Sequence, residues 1–315
     1  MINLLEFFGG IGAPRKALEN LGVEFKSIDY VEIDKNAVKS YNAIFNENYK
    51  SCDINEYIPK NEKIDLLVHG SPCQDFSIAG KQLGGEKGSG TRSSLMFRTL
   101  EIIESMGENK PGIVIWENVK NVLSSKMKPT FCKYLLKMER LGYKNSFKVL
   151  NSLDFGVPQS RNRIFVVSML NDKFDFDTLK TKEHKHIKNY MSDYKEKHVV
   201  MQPSILKKIN AENHSIEIIK DYCSCITTKQ VRSPNSGVFK IEDKKYRYLT
   251  ELECWRLMGF DDKDYYAAAK VHNVKDKFQS SIMYKQAGNS IVVNVLEEIF
   301  RQLFVDKDVV TNKLF

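Results

Sequence analysis

A cysteine set just after a proline is the first residue of this chain that invites a chemical reading. Gly70-Ser71-Pro72-Cys73-Gln74 follows directly on an apolar run at 64–69, and a glycine-rich stretch comes after it. A strand ending there would deliver the thiol to the carboxyl edge of a sheet, where α/β proteins place their ligands. Taken singly, a cysteine is more often a buried small hydrophobe than a nucleophile. Here a proline fixes the backbone before Cys73, which suits an exposed and rigidly aimed thiol. Glu117-Asn118-Val119 ends a neighbouring apolar run, so its carboxyl could reach the same pocket; alone it would pass for a surface acid or an ion-pair partner. Gln159-x-Arg161-x-Arg163 leads into another run, and strand alternation points both guanidiniums to one face. Cations so placed could lower a thiol pKa and orient an anionic or carbonyl-bearing substrate, although a pair of salt-bridged arginines would read the same way.

A second constellation lies near the start. Gly9-Gly10-Ile11-Gly12 separates an apolar run from a helical pattern, and glycines at such a turn let a nucleotide-like ligand approach the backbone. Glu32 follows about twenty residues later, where a carboxylate can bind ribose hydroxyls. The third glycine of the dinucleotide fingerprint is missing, so a purely structural turn stays open as a reading.

These residues need elements to hold them. Short apolar runs alternate with helical patterns through the first half, which predicts an α/β fold with a mostly parallel sheet. Strands are expected at 2–8, 25–33, 64–69, 113–116, 147–150 and 164–168. Helices are expected at 15–21, from Asp34 as N-cap through 45, at 95–106 and around 131–141. Pro14 sits where a first helical turn tolerates it. Residues 79–94 hold five glycines among lysine and arginine, a long loop of the functional kind. From about 170 to 245 the chain turns polar and weakly periodic, a candidate second domain or large insertion, before α/β character returns at 249–260 and in a terminal helix at 291–304.

Composition narrows the classes. A length of 315 residues fits one large domain, or a large domain with a smaller companion. Hydrophobic content of 42% with 28% charged residues excludes a disordered chain, and no run approaches the ~18 apolar residues of a spanning helix. MINLLEFFGG has no basic n-region, so no secretory signal is expected. Six cysteines at 52, 73, 132, 223, 225 and 254 are too sparse for a disulfide framework, and Cys223-x-Cys225 is not a CxxC pair. With the histidines at 184, 186, 198 and 214 scattered, no metal site is expected and the reading is a cytoplasmic protein with reduced thiols. The net charge of +8 permits a polyanionic partner without specifying one.

Taken together and in order, the motifs resemble the cytosine-C5 DNA methyltransferases of bacteria and their phages, of the restriction-modification type, along nearly the whole chain. Phe8-x-Gly10-x-Gly12 resembles the family's S-adenosylmethionine loop, and Glu32 and Asp53-Ile54 match the acidic positions that hold the cofactor's ribose and adenine. Ser71-Pro72-Cys73-Gln74 resembles the nucleophile motif, Glu117-Asn118-Val119 the ENV motif, and Gln159-x-Arg161-x-Arg163 the QxRxR motif. Arg247-x-Leu249-Thr250-x-x-Glu253-x-x-Arg256-Leu257-x-Gly259-Phe260 is similar to the family's late element, and Gln286-x-Gly288-Asn289-Ser290 to its last motif. Two departures stand out: Glu6 occupies a position usually Asp, and Ala13 one commonly Gly.

The resemblance implies a Rossmann-like S-adenosylmethionine-dependent domain at 1–168 and 281–315, with a smaller, irregular target-recognition domain at 169–280. It implies a sequence-specific enzyme that flips a cytosine out of duplex DNA. Cys73 would add to C6, Glu117 would donate or share a proton at N3, and Arg163, with Arg161 nearby, would contact O2. Ile33, Pro72, Leu95, Asn289 and Ser290 would complete the cofactor set. Lys81 and Arg92 of the glycine-rich loop, with Gln74 and Ser77, would touch DNA, as would Thr228, Gln230 and Arg232 of the variable region. The implied partner is double-stranded DNA, with a restriction endonuclease acting on the same site without a stable complex; the implied enzyme is a cytoplasmic monomer that needs neither membrane nor metal. The same machinery acting on tRNA, or a catalytically silent DNA-binding relative, are the alternatives, with a nicotinamide dehydrogenase more distant because its glycine fingerprint is incomplete.

Overall fold

The computed structural model describes residues 1–71, 94–211 and 215–306. Pro72, Cys73, Gln74, Ser77, Lys81 and Arg92 therefore lie outside the described residues, as does nearly all of the loop expected at 79–94.

The first half alternates as its apolar runs require: β1 (Ile2–Phe7), α1 (Ala13–Asn20), β2 (Phe25–Val31), α2 (Lys35–Phe45), β3 (Leu66–His69), α3 (Ser94–Ser105), β4 (Ile113–Val119) and α4 (Lys128–Arg140). Then come β5 (Lys144–Asn151), the short β6 (Gln159–Ser160) and β7 (Asn162–Met169). Asp34 caps α2 by accepting from Asn36 N at 2.9 Å, and Pro14 sits in the first turn of α1. The main sheet has the order β2-β1-β3-β4-β7-β5. Strands β2, β1, β3 and β4 run parallel, and β7 lies antiparallel between β4 and β5. Pairing with β7 carries β4 past the expected end at 116, because Glu117 faces Phe165 and Val119 faces Arg163 along the ladder.

Alternation along each strand divides the apolar side chains between two cores. Leu5, Phe7, Leu67, Trp116 and Val166 face one side, where Met96, Leu100, Phe131 and Tyr134 of α3 and α4 cover them. Leu4, Leu66, Val68, Ile115 and Phe165 face the other, where α1 is joined by elements from the far end of the chain. Those are α6 (Glu251–Arg256), α7 (Asp262–Val271), α8 (Ser281–Asn289) and α9 (Val293–Phe300), reached after α5 (Pro203–Asn210), β8 (Cys223–Ser224), β9 (Phe239–Glu242) and β10 (Lys245–Arg247). The polar stretch builds a small core of its own from Val200, Ile205, Ile209, Ile216, Val238, Tyr246 and Tyr248. Trp255, Met258 and Tyr265 pack instead into the large core with Leu4 and Phe165.

Arg247 grips Glu253 with both terminal nitrogens, at 2.8 and 3.1 Å, and Thr250 shares a capping box with the same Glu253. Arg256 pairs Asp262 at 2.7 Å through each of two nitrogens. The late arginine-rich motif is thus a framework that fixes α6 and the start of α7.

Candidate active site

The strand order reverses at β1: β2 lies on one side of it and β3 on the other. A crevice above the carboxyl ends of β1 and β3 is where such a sheet binds ligands. Both sequence constellations lead there, since Phe7 pairs with His69 and His69 with Trp116.

On the β1 side, Phe8 and Gly10 both take positive φ, 54° and 55°, and a Cβ built on Gly10 would meet nothing within 4 Å. The loop is held from below by Tyr30, whose hydroxyl donates to Gly10 O at 2.6 Å. Glu32 accepts from Gly10 N at 3.1 Å and from Asp34 N at 2.8 Å, which ties the loop to the end of β2. Burial raises the Glu32 pKa against the pull of those two N–H groups. Ile33 beside it is 63% exposed, an apolar side chain turned outward just past the end of β2. Asp53 accepts from Asn55 N at 2.9 Å, Ile54 is buried, and half-buried Leu95 and Phe8 pack on the same core. Asn289 is exposed at the end of α8, whereas Ser290 is buried.

On the β3 side, two residues of β4 fasten the position before Pro72. Trp116 Nε1 donates to Ser71 Oγ at 3.0 Å, and Asn118 Nδ2 reaches Ser71 O at 3.4 Å. Glu117 lies between them in sequence and points to the other face, its Oε2 3.9 Å from the place a Gly70 Cβ would occupy. Its side chain is 12% exposed, and burial raises its pKa while Arg163 and then Arg161 lower it. Arg163 Nε sits 3.2 Å from Glu117 Oε1, and Arg163 Nη1 donates to Asn162 O at 2.8 Å.

Arg161 is placed differently. Its guanidinium donates to Ile226 O at 2.9 Å, Gly288 O at 3.1 Å and Ser290 O at 2.9 Å, and the residue is buried. With three carbonyls as partners its guanidinium holds backbone in place, whereas Arg163 reaches the Glu117 carboxyl. The two guanidiniums do share a face, since both reach Cys225 Sγ, at 3.4 and 3.6 Å.

Sequence reasoning missed the residues that stitch 225–228 to this framework. Gln159 Oε1 accepts from Ile226 N at 3.0 Å, and its Nε2 donates to Leu257 O at 2.9 Å. At Gly288 a Cβ would stand 2.4 Å from Thr227 C and 2.5 Å from Thr228 N, so only glycine admits that backbone. Gln159 and Gly288 were visible as motif letters, but a crossing partner roughly 60 to 100 residues away leaves no local signal.

The expected DNA readers diverge. Gln230 is buried, its Nε2 donating to Ser236 Oγ at 2.5 Å and its Oε1 accepting from Thr227 N at 3.4 Å, so it organises its own loop and cannot present an amide to a base. Thr228 is half-buried and Arg232 exposed. Among the described residues no three His, Cys, Asp or Glu side chains group to hold a metal ion, and no helix is long and apolar enough to cross a membrane.

Solved structures with this fold include the Dnmt2 methyltransferase of S. pombe, at a TM-score of 0.75 and 22% identity over 96% of this chain and 98% of that one. The Entamoeba histolytica methyltransferase EhMeth gives 0.76 and 19% over 97% and 98%. In sequence, the type II methyltransferase M2.ScrFI of Lactococcus lactis subsp. cremoris is 31% identical over 96% of this chain and 99% of its own. The type II methyltransferase M.HhaI of Haemophilus parahaemolyticus is 32% identical over 95% and 93%. The profile of the C-5 cytosine-specific DNA methylases matches residues 2–305, nearly the whole length over which the crevice and its side chains are built, and the chain belongs to that family.

Proposed function

We propose that this methyltransferase acts on duplex DNA at a specific sequence, with Cys73 as nucleophile, Glu117 as the acid at N3 and Arg163 on O2. The observation that carries the reading is the Arg163–Glu117 pair, 3.2 Å apart and beside Gly70, at the exit of the strand that leads to Cys73.

Cytosine C5 is a weak nucleophile, so methylation there needs the ring to be activated first. The Cys73 thiolate forms a bond to C6, and the electron pair of the 5,6 double bond moves through the ring. Glu117 delivers its proton to N3, which prevents charge from accumulating there; the burial that raises its pKa keeps that proton in place beforehand. Arg163 donates to O2 and fixes the base edge. C5 is then an enamine carbon able to take a methyl group. A water removes the C5 proton, the C6–S bond breaks to restore the double bond, and the N3 proton returns to Glu117.

The loop after β1 fits S-adenosylmethionine: a positive-φ turn with open space over Gly10, a carboxylate anchored at Glu32 and an outward apolar side chain at Ile33. Phe8, Gly10, Gly12, Glu32, Ile33, Asp53, Ile54, Pro72, Leu95, Asn289 and Ser290 would hold it. When bound, it supplies an electrophilic methyl group on a sulfonium sulfur.

Recognition we assign to the smaller domain at 169–280, above all to 170–245, where residues from Val200 to Tyr248 build a small core of their own while Phe174, Ile187, Ile219 and Cys223 anchor the region on the large one. Arg232 and Thr228 are its proposed contacts, and Gln74, Ser77, Lys81 and Arg92 are those proposed for the catalytic domain. The relatives named as type II methyltransferases support a restriction-modification setting; an endonuclease that reads the same site without a stable complex, and a cytoplasmic monomer, complete the proposal.

A duplex carrying 5-fluorocytosine tests the chemistry, because fluorine at C5 cannot leave as a proton does and the Cys73–C6 adduct stalls. Wild-type protein should form a denaturation-resistant adduct; Cys73→Ser should form none yet still bind S-adenosylmethionine. Methylation by Cys73→Ser at near wild-type rate would sink the mechanism.

A further inference from the structure

Two guanidiniums, Arg161 buried and Arg163 partly so, meet at one sulfur. Arg161 Nη1 lies 3.4 Å and Arg163 Nη2 3.6 Å from Cys225 Sγ, while Arg163 Nε stands 3.2 Å from Glu117 Oε1. Cys225, Arg163 and Glu117 thus form one continuous chain from the 225–228 segment to the β4 acid. Within it, Arg161 Nε and Glu117 Oε1 are buried with no hydrogen-bond partner among the described residues, and the Arg163–Glu117 contact is an ion pair without hydrogen-bond alignment.

The charge balance of this cluster poses a problem for catalysis. The arginines press on each other, and both favour an ionised Glu117, since an opposite charge nearby stabilises a carboxylate. Yet the acid that serves N3 must hold a proton. An anion set against the two guanidiniums would offset that pull and let the carboxyl keep its proton.

We propose that Cys225 is a positioning residue of the active site: its thiolate is the counter-ion of the Arg161–Arg163 pair, holding Arg163 on Glu117 while leaving Glu117 free to keep its proton. The inference rests on the reading of Glu117 as the acid. The sulfur faces both guanidiniums and, at 3.6 Å, the Ile226 carbonyl oxygen, so the two cations must outweigh one carbonyl dipole. The two guanidiniums lower the Cys225 pKa even though burial opposes them. Cys223, two residues earlier on β8, has no such cation against it among the described residues, and burial pushes its thiol up, so it stays neutral. A thiol is suited to this place because it supplies a soft, weakly hydrated anion that keeps its charge only while both arginines stay close.

The test is the pH dependence of single-turnover methylation. Because Glu117 must be protonated, activity falls on the alkaline side as it ionises. Cys225→Ser keeps the size and a polar atom but not the charge, so Glu117 should ionise earlier. The alkaline limb should move down by about one pH unit, giving roughly tenfold lower rates above it and near-normal rates below. Cys225→Asp, which restores an anion, should return the limb toward its wild-type position. Thermal melting identifies folded variants, and Cys225→Ala replaces the serine variant if that one is unstable. Glu117→Gln separates the two readings. If it keeps the wild-type limb, Glu117 is not the titrating acid and the proposal falls with that reading. If it abolishes the limb but Cys225→Ser leaves it unmoved, or merely scales the rate at every pH, the role of Cys225 alone is overturned.

Discussion

Arg163 and Glu117 face each other diagonally across two antiparallel strands, Nε 3.2 Å from Oε1, because Arg163 pairs in the ladder with Val119, two residues beyond Glu117. That offset puts both side chains on one face of the sheet. It also lets a single guanidinium touch Glu117, Asn162 O and Cys225 at once.

A lysine cannot make that three-way contact, because its ammonium is a point charge on a flexible stem. Arg163→Lys should therefore lower the methyl-transfer rate by roughly a hundredfold, as loss of a preorganised donor does. S-Adenosylmethionine affinity should stay within a few fold, since Arg163 is not among the cofactor residues. Rapid-quench kinetics with saturating cofactor checks this, and a lysine variant within a few fold of wild type would refute it.

Much of this is legible in the sequence alone, for local reasons. Strand-end motifs announce themselves through an apolar run and a turn, so Glu117 and the glycine loop could be placed at the sheet edge from periodicity alone. What could not be read is whatever depends on β7 folding back beside β4, and on α8 meeting a segment from the polar region. Arg161 and Arg163 look equivalent by alternation, yet one holds three carbonyls and the other the acid. Gln230 looked like a base reader because polar residues in a basic stretch usually face outward; Ser236 and Thr227 draw it inside.

Gly288 gives a second prediction in which two effects compete. It lies within α8, where alanine would normally help by about 1 kcal/mol. The added methyl would, however, come within 2.4–2.7 Å of backbone at Thr227 and Thr228, which cannot swing aside like a side chain. Overpacking of this kind costs about 1–3 kcal/mol, so the clash wins. Gly288→Ala should melt several degrees lower and lose activity as 225–228 shifts off Arg161. An unchanged melting temperature would mean that the segment has slack that the contact distances deny.

Gln230 and Arg232 should separate cleanly in a binding experiment. Gln230→Ala removes a buried partner of Ser236 and should cost about 1–3 kcal/mol of stability, as an orphaned polar group does. Its effect on discrimination between DNA sequences should be small. Exposed Arg232→Ala should leave melting unchanged, weaken DNA binding, and lower the slope of log affinity against log salt by about one, the signature of a lost phosphate contact. Filter binding over a salt series distinguishes them; an Arg232 variant with unaltered slope removes it from the DNA contacts.

Glu6 carries the last prediction, because it is a wholly buried acid in the strand beneath the glycine loop proposed to hold the cofactor. Tyr41 donates to its Oε2 at 2.7 Å, while Oε1 has no hydrogen-bond partner among the described residues. Burial raises its pKa from 4.5 to about 7, against the opposing pull of Tyr41 and Arg15. The folded protein thus holds this proton more tightly than the unfolded chain does. The associated stability is fully present below about pH 4.5 and is lost as pH rises to about 7, some 3 kcal/mol in all. Glu6→Gln has no proton to lose and keeps a partner for Tyr41. The other carboxylates titrate alike in both proteins, so the difference in unfolding free energy isolates Glu6. Between pH 4.5 and 8 that difference should move toward the glutamine variant by about 3 kcal/mol, measured by urea denaturation of the cofactor-free protein. Parallel stability curves would mean that Glu6 keeps an ordinary pKa, and that the strand beneath Gly9 and Gly10 admits enough water to solvate a charge.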